Sequence, residues 1–207
     1  MSIEKKKYVL ISGAFAFVCN FILFMLKLYV GLSSNSISIY SDGINNLFDS
    51  LSGAITVAVF CALLKTDDTK EIVAKRSGQL LSFVMSAAVA FSGVYFAYSS
   101  LERLMYPTPV WYMEKYLVVI VATTLVKLAM FFVFRYLNNK TESPVTKVMV
   151  VDGILDFFVS AITAFTLVIS QYGNYAFDAL LGIAVSVVII SGAVKLTISS
   201  VKELIFN

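Results

Sequence analysis

The sequence predicts an all-α membrane protein with six transmembrane helices and 3+3 inverted-repeat character, and three observations lead to this prediction. Of the 207 residues, 59% are hydrophobic and only 14% are charged, which is less charge than a soluble domain of this size carries. Six apolar stretches have about the 20-residue length that crosses the hydrocarbon core of a bilayer. Two of these stretches also share a local pattern of polar residues.

The six predicted spans form a single transmembrane domain over residues 1–207, in the order 9–31, 37–64, 80–98, 116–136, 145–169 and 176–198. The first span is too long for the apolar core of a signal peptide, and no small-residue cleavage site follows it. It is therefore interpreted as a permanent helix. Cys19 and Cys61 lie inside apolar spans without Cys-x-x-Cys spacing, and they are interpreted as packing residues.

Most lysine and arginine residues outside the spans lie on one side of this topology, and the third loop on the other side, around residues 105–114, is charged only at its edges. They precede the first span, follow the sixth, and fall between the second and third and between the fourth and fifth: Lys5, Lys6, Lys7, Lys65, Lys70, Lys75, Arg76, Arg135, Lys140, Lys147 and Lys202. The loops GLSSNS and SQYGNY contain neither residue. The positive-inside rule therefore predicts that both termini are cytoplasmic. This asymmetry also accounts for the net charge of +3, so no nucleic-acid partner is expected.

Five aspartates lie within the predicted spans: Asp42, Asp49, Asp152, Asp156 and Asp178. Keeping the three most central ones charged costs about 9 kcal/mol on insertion scales, which is comparable to the whole stability of an ordinary protein. Salt bridges to Lys27 or Lys127 are one compensation, and they suit the outer two aspartates. Two lysines cannot neutralise three central acids and also serve the outer ones. A bound cation or protons are therefore expected at the central group.

The spacing of the central polar residues indicates a shared site. Asp152 and Asp156 are four residues apart and project from one helix face, one turn apart. Asn45 and Asp49 have the same spacing. Aligning Asn45 with Asp152 places DSLSGAIT, which begins at Asp49, against DFFVSAIT, which begins at Asp156. The two segments are predicted to run in opposite directions, which is typical of inverted-repeat transporters with a site near the midplane.

The start of each span agrees with this alignment, because Ser36 before the second span falls on Ser143 before the fifth. The polar pairs lie about nine to thirteen residues into their spans. At about 1.5 Å per residue, that depth is close to the bilayer centre from either side.

These segments resemble the cation diffusion facilitator family of metal transporters over nearly the whole chain. SISIYSDGINNLFDS is similar to the family's A-D-x-x-H/D-S-x-x-D pattern, with Asp42 as the leading aspartate. Ser143 followed by DGILD is similar to the span-five pattern H/D-x-x-x-D. LERLMYPTPV and FDALLGI resemble the segments after span three and at the start of span six.

The resemblance implies a metal site made of Asn45, Asp49, Asp152 and Asp156, and a homodimer. Coupled proton exchange at the central acids would then make the protein a metal/proton antiporter with alternating access. We expect no prosthetic group, and we expect a multi-pass protein of the prokaryotic plasma (inner) membrane. Asp42 and Asp178 are candidates for an outer-side proton or ion path, with helix-start or salt-bridge roles as the alternative.

The chain departs from the family pattern in three ways. It contains no histidine, and AKRSGQLL stands where zinc-type members have a G-H-G-K-like segment. It stops at VKELIFN, whereas most members continue into a cytoplasmic domain. We therefore expect either the short branch that lacks this domain or a trimmed chain. Four oxygen-donor ligands suit Mn²⁺ better than Zn²⁺, which favours imidazole and thiolate, so the predicted cargo is Mn²⁺, then Fe²⁺, with Zn²⁺ a poorer fit.

Other classes of protein fit the sequence less well. An intramembrane aspartyl protease typically has G-x-G-D, which VDGILD lacks, and SDGINNLFDSLSG lacks the arginine of CDP-alcohol phosphotransferases. A non-transporting scaffold that descends from a transporter is the remaining alternative. Small residues in span three predict close helix packing, either within one chain or between two copies: Ser82, Ser86, Ala90, Gly93 and Ala97.

Overall fold

The computed structural model describes residues 3–65, 83, 87, 90–141, 143–172 and 176–206. Over these residues the chain is helical, without strands. The helices are α1 (Ile3–Ser34), α2 (Ile37–Lys65), α3 (residues 90–105), α4 (Glu114–Thr141), α5 (Pro144–Ser170) and α6 (Ala176–Phe206). Within the described ranges, the five helices α1, α2, α4, α5 and α6 are long and apolar enough to cross a membrane. The prediction of an all-helical, multi-pass membrane protein is thus confirmed, while most of residues 80–89 of the third predicted span lie outside the described residues.

A tight turn connects α1 to α2. Asn35 has a φ of 56°, a left-handed conformation that asparagine adopts more readily than most residues. The amide of Ser36 donates to the carbonyl of Gly31 at 3.0 Å, and the amide of Asn35 donates to that of Leu32 at 3.4 Å. This bonding pattern is a Schellman motif, which ends α1 and reverses the chain within two residues.

Glycines allow α1 and α2 to approach closely along the hairpin. A Cβ atom on Gly53 would lie 2.6 Å from the backbone nitrogen of Phe17, and one on Gly31 would lie 2.7 Å from that of Tyr40. Both distances are shorter than van der Waals contact. The glycine of the repeated segment DSLSGAIT is therefore required for helix packing.

Serines precede both helices that carry the repeated segments. The Ser36 hydroxyl accepts a hydrogen bond from the amide of Ile39 at 3.3 Å at the start of α2. Ser143 occupies the cap position of α5, followed by Pro144 in the first turn, where proline's missing N–H costs nothing. The predicted positions of both serines at helix starts are confirmed.

Helices α1, α2, α4 and α5 enclose the centre of the protein, and α6 packs on α2 and α5. Two apolar clusters lie towards opposite ends of α1, one around Ala16, Leu23 and Met130 and the other around Val30 and Ile120. Many large apolar side chains on the outside are exposed, as expected for surfaces that face lipid.

Helix α3 packs on α2 and α6. Phe96 stacks edge-on against Tyr40 with ring centroids 5.5 Å apart, and a Cβ on Gly93 would lie 2.6 Å from Ile190 of α6. Gly93 therefore serves packing within one chain. Ser82 and Ser86 of the predicted small-residue stripe lie outside the described residues.

Candidate functional site

The predicted ligands of α2 and α5 face one another. Asn45 Nδ2 donates a hydrogen bond to Asp156 Oδ1 at 3.2 Å, which joins the two repeated segments directly. Asp49, Asp152 and Asp156 line one cleft of about 80 Å³. The structure thus brings all four predicted residues to the same region between the two helices.

Lys127 of α4 projects into this group. Its Nζ donates hydrogen bonds to Asp156 Oδ2 at 2.5 Å, Asn20 Oδ1 at 2.8 Å and Asp49 Oδ2 at 3.3 Å. The lysine side chain is only 1% exposed. Two carboxylates, one amide oxygen and an ammonium therefore form a compact polar centre inside the helix bundle.

This arrangement differs from the expectation that lysines serve only the outer aspartates. Lys127 pairs with two central acids at once, because an ammonium has three donors and can satisfy several acceptors. The sequence argument counted one lysine against one acid. That count underestimated how much charge a single buried lysine compensates.

Exposure changes steadily across the centre. Asp152 and Ser52 are exposed in the cleft, whereas Asp49 is 28% and Asp156 13% exposed. The cleft therefore opens beyond Asp152, towards the end of the bundle that holds the start of α1 and the ends of α2 and α4. Among the described residues, no three acidic or cysteine side chains converge closely enough to hold a metal ion, so the ligand quartet stays a prediction.

A second buried ion pair lies on the opposite side of the centre. Lys27 Nζ of α1 is 2.7 Å from Asp42 Oδ2 and 2.7 Å from the Ser160 hydroxyl, and both charged side chains are at most 1% exposed. The Ser160 and Thr163 hydroxyls of α5 also donate to Asp42, at 3.1 and 3.4 Å. These contacts close the bundle between the centre and the α1–α2 turn.

Asp178 of α6 holds the start of α2. Its carboxylate accepts hydrogen bonds from the Ser36 and Ser38 hydroxyls, both at 2.5 Å, and from the Ile37 amide at 2.9 Å. A carboxylate at a helix N-terminus also interacts favourably with the helix dipole. The structure thus gives Asp178 the contacts of a helix cap supplied by another helix.

Arg103 at the end of α3 ties the same corner together. Its guanidinium donates to the backbone and side-chain oxygens of Asn35 and lies 3.7 Å from Asp178. Asn35 Nδ2 donates to the Pro109 carbonyl, and the Trp111 amide donates to the Ser34 carbonyl. The segments LERLMYPTPV and FDALLGI thus meet at the α1–α2 turn.

Asn20 was not among the predicted site residues, and Lys127 has a larger role than the sequence predicted. Both are polar residues in the middle of apolar spans, which is a signal of a functional position. A second signal is internal: the alignment of Asn45 with Asp152 shifts the chain by 107 positions and places Asn20 on Lys127. Extending the repeat upstream into the first and fourth spans would have found this pair.

Comparison with known proteins agrees with the geometry. The family model of the cation efflux transmembrane domain matches residues 14–205. An uncharacterized transporter of Methanocaldococcus jannaschii is 25% identical over 188 residues, which cover 90% of this chain and 66% of that protein. The cation-efflux pump FieF of Shewanella oneidensis is 26% identical over 184 residues, or 88% of this chain and 62% of the pump. The chain therefore spans slightly less than two thirds of the length of both relatives.

Proposed function

Because the chain belongs to the cation efflux family, a family of transporters and not of enzymes, we propose that it exports a divalent metal ion by metal/proton antiport with alternating access. The proposed cargo is Mn²⁺, followed by Fe²⁺ and then Zn²⁺. Its proposed ligands are Asn45, Asp49, Asp152 and Asp156. The transported ion is a substrate, and no prosthetic group takes part.

The observation that carries this proposal is the position of the Lys127 ammonium between a carboxylate of α2 and a carboxylate of α5. The Lys127 ammonium lies within 3.3 Å of Asp49 and Asp156, so the surrounding oxygens already accommodate a positive charge inside the bundle. Asn45 is bonded to Asp156 and adds a neutral amide. An oxygen-only set favours hard ions such as Mn²⁺ over Zn²⁺.

The cleft supplies a path from one side. An ion that enters past the exposed Asp152 reaches Asp49 and Asp156 through this cleft, whose wall also includes apolar side chains such as Met130 and Met149. The Lys27–Asp42 pair blocks the way beyond. By the predicted orientation, the open end is cytoplasmic. Export then requires the helices to move so that the centre closes behind the ion and opens towards the α1–α2 turn, while protons replace the ion on the acids.

Transport into vesicles made from purified protein tests this proposal. Mn²⁺ uptake should exceed Zn²⁺ uptake and should depend on a proton gradient. The substitutions Asp49→Ala, Asp152→Ala and Asp156→Ala should each abolish it. Glu114→Gln, which neutralises an exposed acid at the start of α4, is the matched control and should transport normally.

The same assay decides the alternative of a non-transporting scaffold. A scaffold would fold and insert into the membrane without the three acids. Neither the unsubstituted scaffold nor its acid variants would transport metal. Normal uptake by any one acid variant would remove that residue from the site. A clear preference for Zn²⁺ would overturn the assignment of Mn²⁺.

The proposed assembly is a homodimer. The described part of α3 carries apolar side chains that are more than half exposed, at Phe91, Val94, Tyr95 and Tyr98, and this face is the proposed contact between copies. A Tyr98→Cys variant in native membranes should cross-link to a dimer, and cysteines on other helix faces should not. Equal cross-linking from the lipid-facing Phe132 of α4 would contradict a specific interface.

A further inference from the structure

The Lys127 ammonium occupies the place that a transported cation would need. It lies 2.5 Å from Asp156 Oδ2 and 3.3 Å from Asp49 Oδ2. Hard divalent ions bind oxygen ligands at roughly 2.0–2.6 Å. An ion bound through these same two oxygens would therefore overlap the ammonium, and the two cannot share them in this arrangement.

Lys127 and Asn20 occupy equivalent positions of the internal repeat, and only Lys127 carries a charge. The shift of 107 positions that aligns Asn45 with Asp152 also aligns Asn20 with Lys127, and these two side chains are hydrogen-bonded at 2.8 Å. The first half of the chain thus places a neutral amide where the second half places a positive charge. Helix packing alone does not require a charge at this position, because the equivalent position in α1 has none.

We propose that Lys127 is a resident cation, whose ammonium compensates one of the three negative charges of the empty site and has to leave the two carboxylates when a divalent ion binds. This inference rests on the proposed function, since it concerns the same site. Asp49, Asp152 and Asp156 carry three formal negative charges, and Lys127 carries one positive charge. A divalent ion that replaces the ammonium compensates two of these three negative charges, one more than the ammonium does.

A resident cation also determines specificity. The ammonium is tethered, so it competes with free ions at a high effective concentration. A monovalent ion such as K⁺ has no more charge than the ammonium and does not displace it. A divalent ion carries twice the charge and interacts more strongly with both carboxylates. Lys127 thereby excludes monovalent ions, and its return to the carboxylates helps to expel the metal on the far side.

Equilibrium binding of Mn²⁺ to the full chain in lipid nanodiscs tests the proposal with Lys127→Met, which keeps the length of the side chain and removes its charge. Mn²⁺ should bind the variant at least tenfold more tightly than the unsubstituted protein at low salt. Addition of about 100 mM K⁺ should weaken Mn²⁺ binding to the variant more than binding to the unsubstituted protein. Lys127→Gln keeps a hydrogen-bond donor and should behave in the same way if Lys127→Met does not fold.

The matched control is Lys115→Met, which removes the charge of an exposed lysine at the start of the same helix and should leave Mn²⁺ affinity within about threefold. If Lys127 only held the helices together, its neutral variants would bind Mn²⁺ equally or more weakly and without new sensitivity to K⁺. That result overturns the resident-cation proposal. Mn²⁺ binding that is absent in the unsubstituted protein, or unaffected by Asp49→Ala with Asp156→Ala, overturns the proposed function instead.

Discussion

Replacing Asp178 with alanine should destabilise the protein by about 3–5 kcal/mol. The carboxylate accepts from the Ile37 amide and from the hydroxyls of Ser36 and Ser38. A buried donor without a partner costs about 1–3 kcal/mol, and the Ile37 amide has no second acceptor among the residues that the structure describes. The two hydroxyls are 3.2 Å apart and can bond to each other, so each should add only about 1 kcal/mol.

Asp178→Asn is the informative companion variant. Asparagine keeps one acceptor for the serine hydroxyls but places an NH₂ group or a neutral oxygen near Arg103 and the Ile37 amide. We expect Asp178→Asn to lose about half as much stability as Asp178→Ala. If Asp178 serves only as a cap, the folded asparagine variant should still transport Mn²⁺. If Asp178 lies on a proton or ion path, the variant should fold and fail to transport.

Thermal unfolding in detergent measures the loss of stability in the Asp178 variants. Uptake of Mn²⁺ into vesicles measures whether they still transport. The Ser36→Ala and Ser38→Ala variants each remove one donor and should lose less stability than Asp178→Ala. An alanine variant at position 178 that is as stable as the unsubstituted protein would refute the capping argument. It would also show that the start of α2 finds its hydrogen bonds elsewhere.

Further predictions concern packing and the second ion pair. Gly53→Val should lower the melting temperature, since its Cβ would clash with the backbone of Phe17 and overpacking costs about 1–3 kcal/mol; Gly53→Ala should be milder. Lys27→Met should cost about 3–5 kcal/mol because it leaves Asp42 buried and unpaired. Adding Asp42→Asn should recover most of that loss of stability. If unfolding measurements show instead that the losses of the two single variants simply add in the double variant, Lys27 and Asp42 do not stabilise each other.

The sequence predicted the helices well because each helix follows from a long apolar stretch and local start signals. The α1–α2 turn at Asn35 and the serines at the starts of α2 and α5 have local sequence signals, although Arg103 and Asp178 also bond to the α1–α2 corner. The central aspartates were found because charge is costly in an apolar span. The partners of those aspartates depend on how four helices pack, and no local pattern fixes that packing.

The two buried lysines show what kind of information was missing. Lys27 and Lys127 are each the one charged residue in the interior of an apolar span, yet one pairs with an outer aspartate and the other with two central ones. The difference arises because α1 and α4 present their lysines at different depths relative to α2 and α5. Only the internal repeat carried a hint, since it aligned Lys127 with Asn20 but aligned Lys27 with an apolar residue, Phe134.

Single cysteines should reveal which end of the bundle is open. Ser52 is exposed in the cleft, whereas Thr163 is buried beside the Lys27–Asp42 pair. In a background without Cys19 and Cys61, Ser52→Cys should react with a membrane-impermeant thiol reagent added from the predicted cytoplasmic side. Mn²⁺ should slow that reaction, because the proposed metal site lies in the same cleft as position 52. Thr163→Cys should stay unreactive from either side while the cleft has this shape.

Reaction of Ser52→Cys only from the opposite side would reverse the predicted orientation. Rapid reaction of Thr163→Cys from the side of the α1–α2 turn would show that the Lys27–Asp42 pair does not close the path.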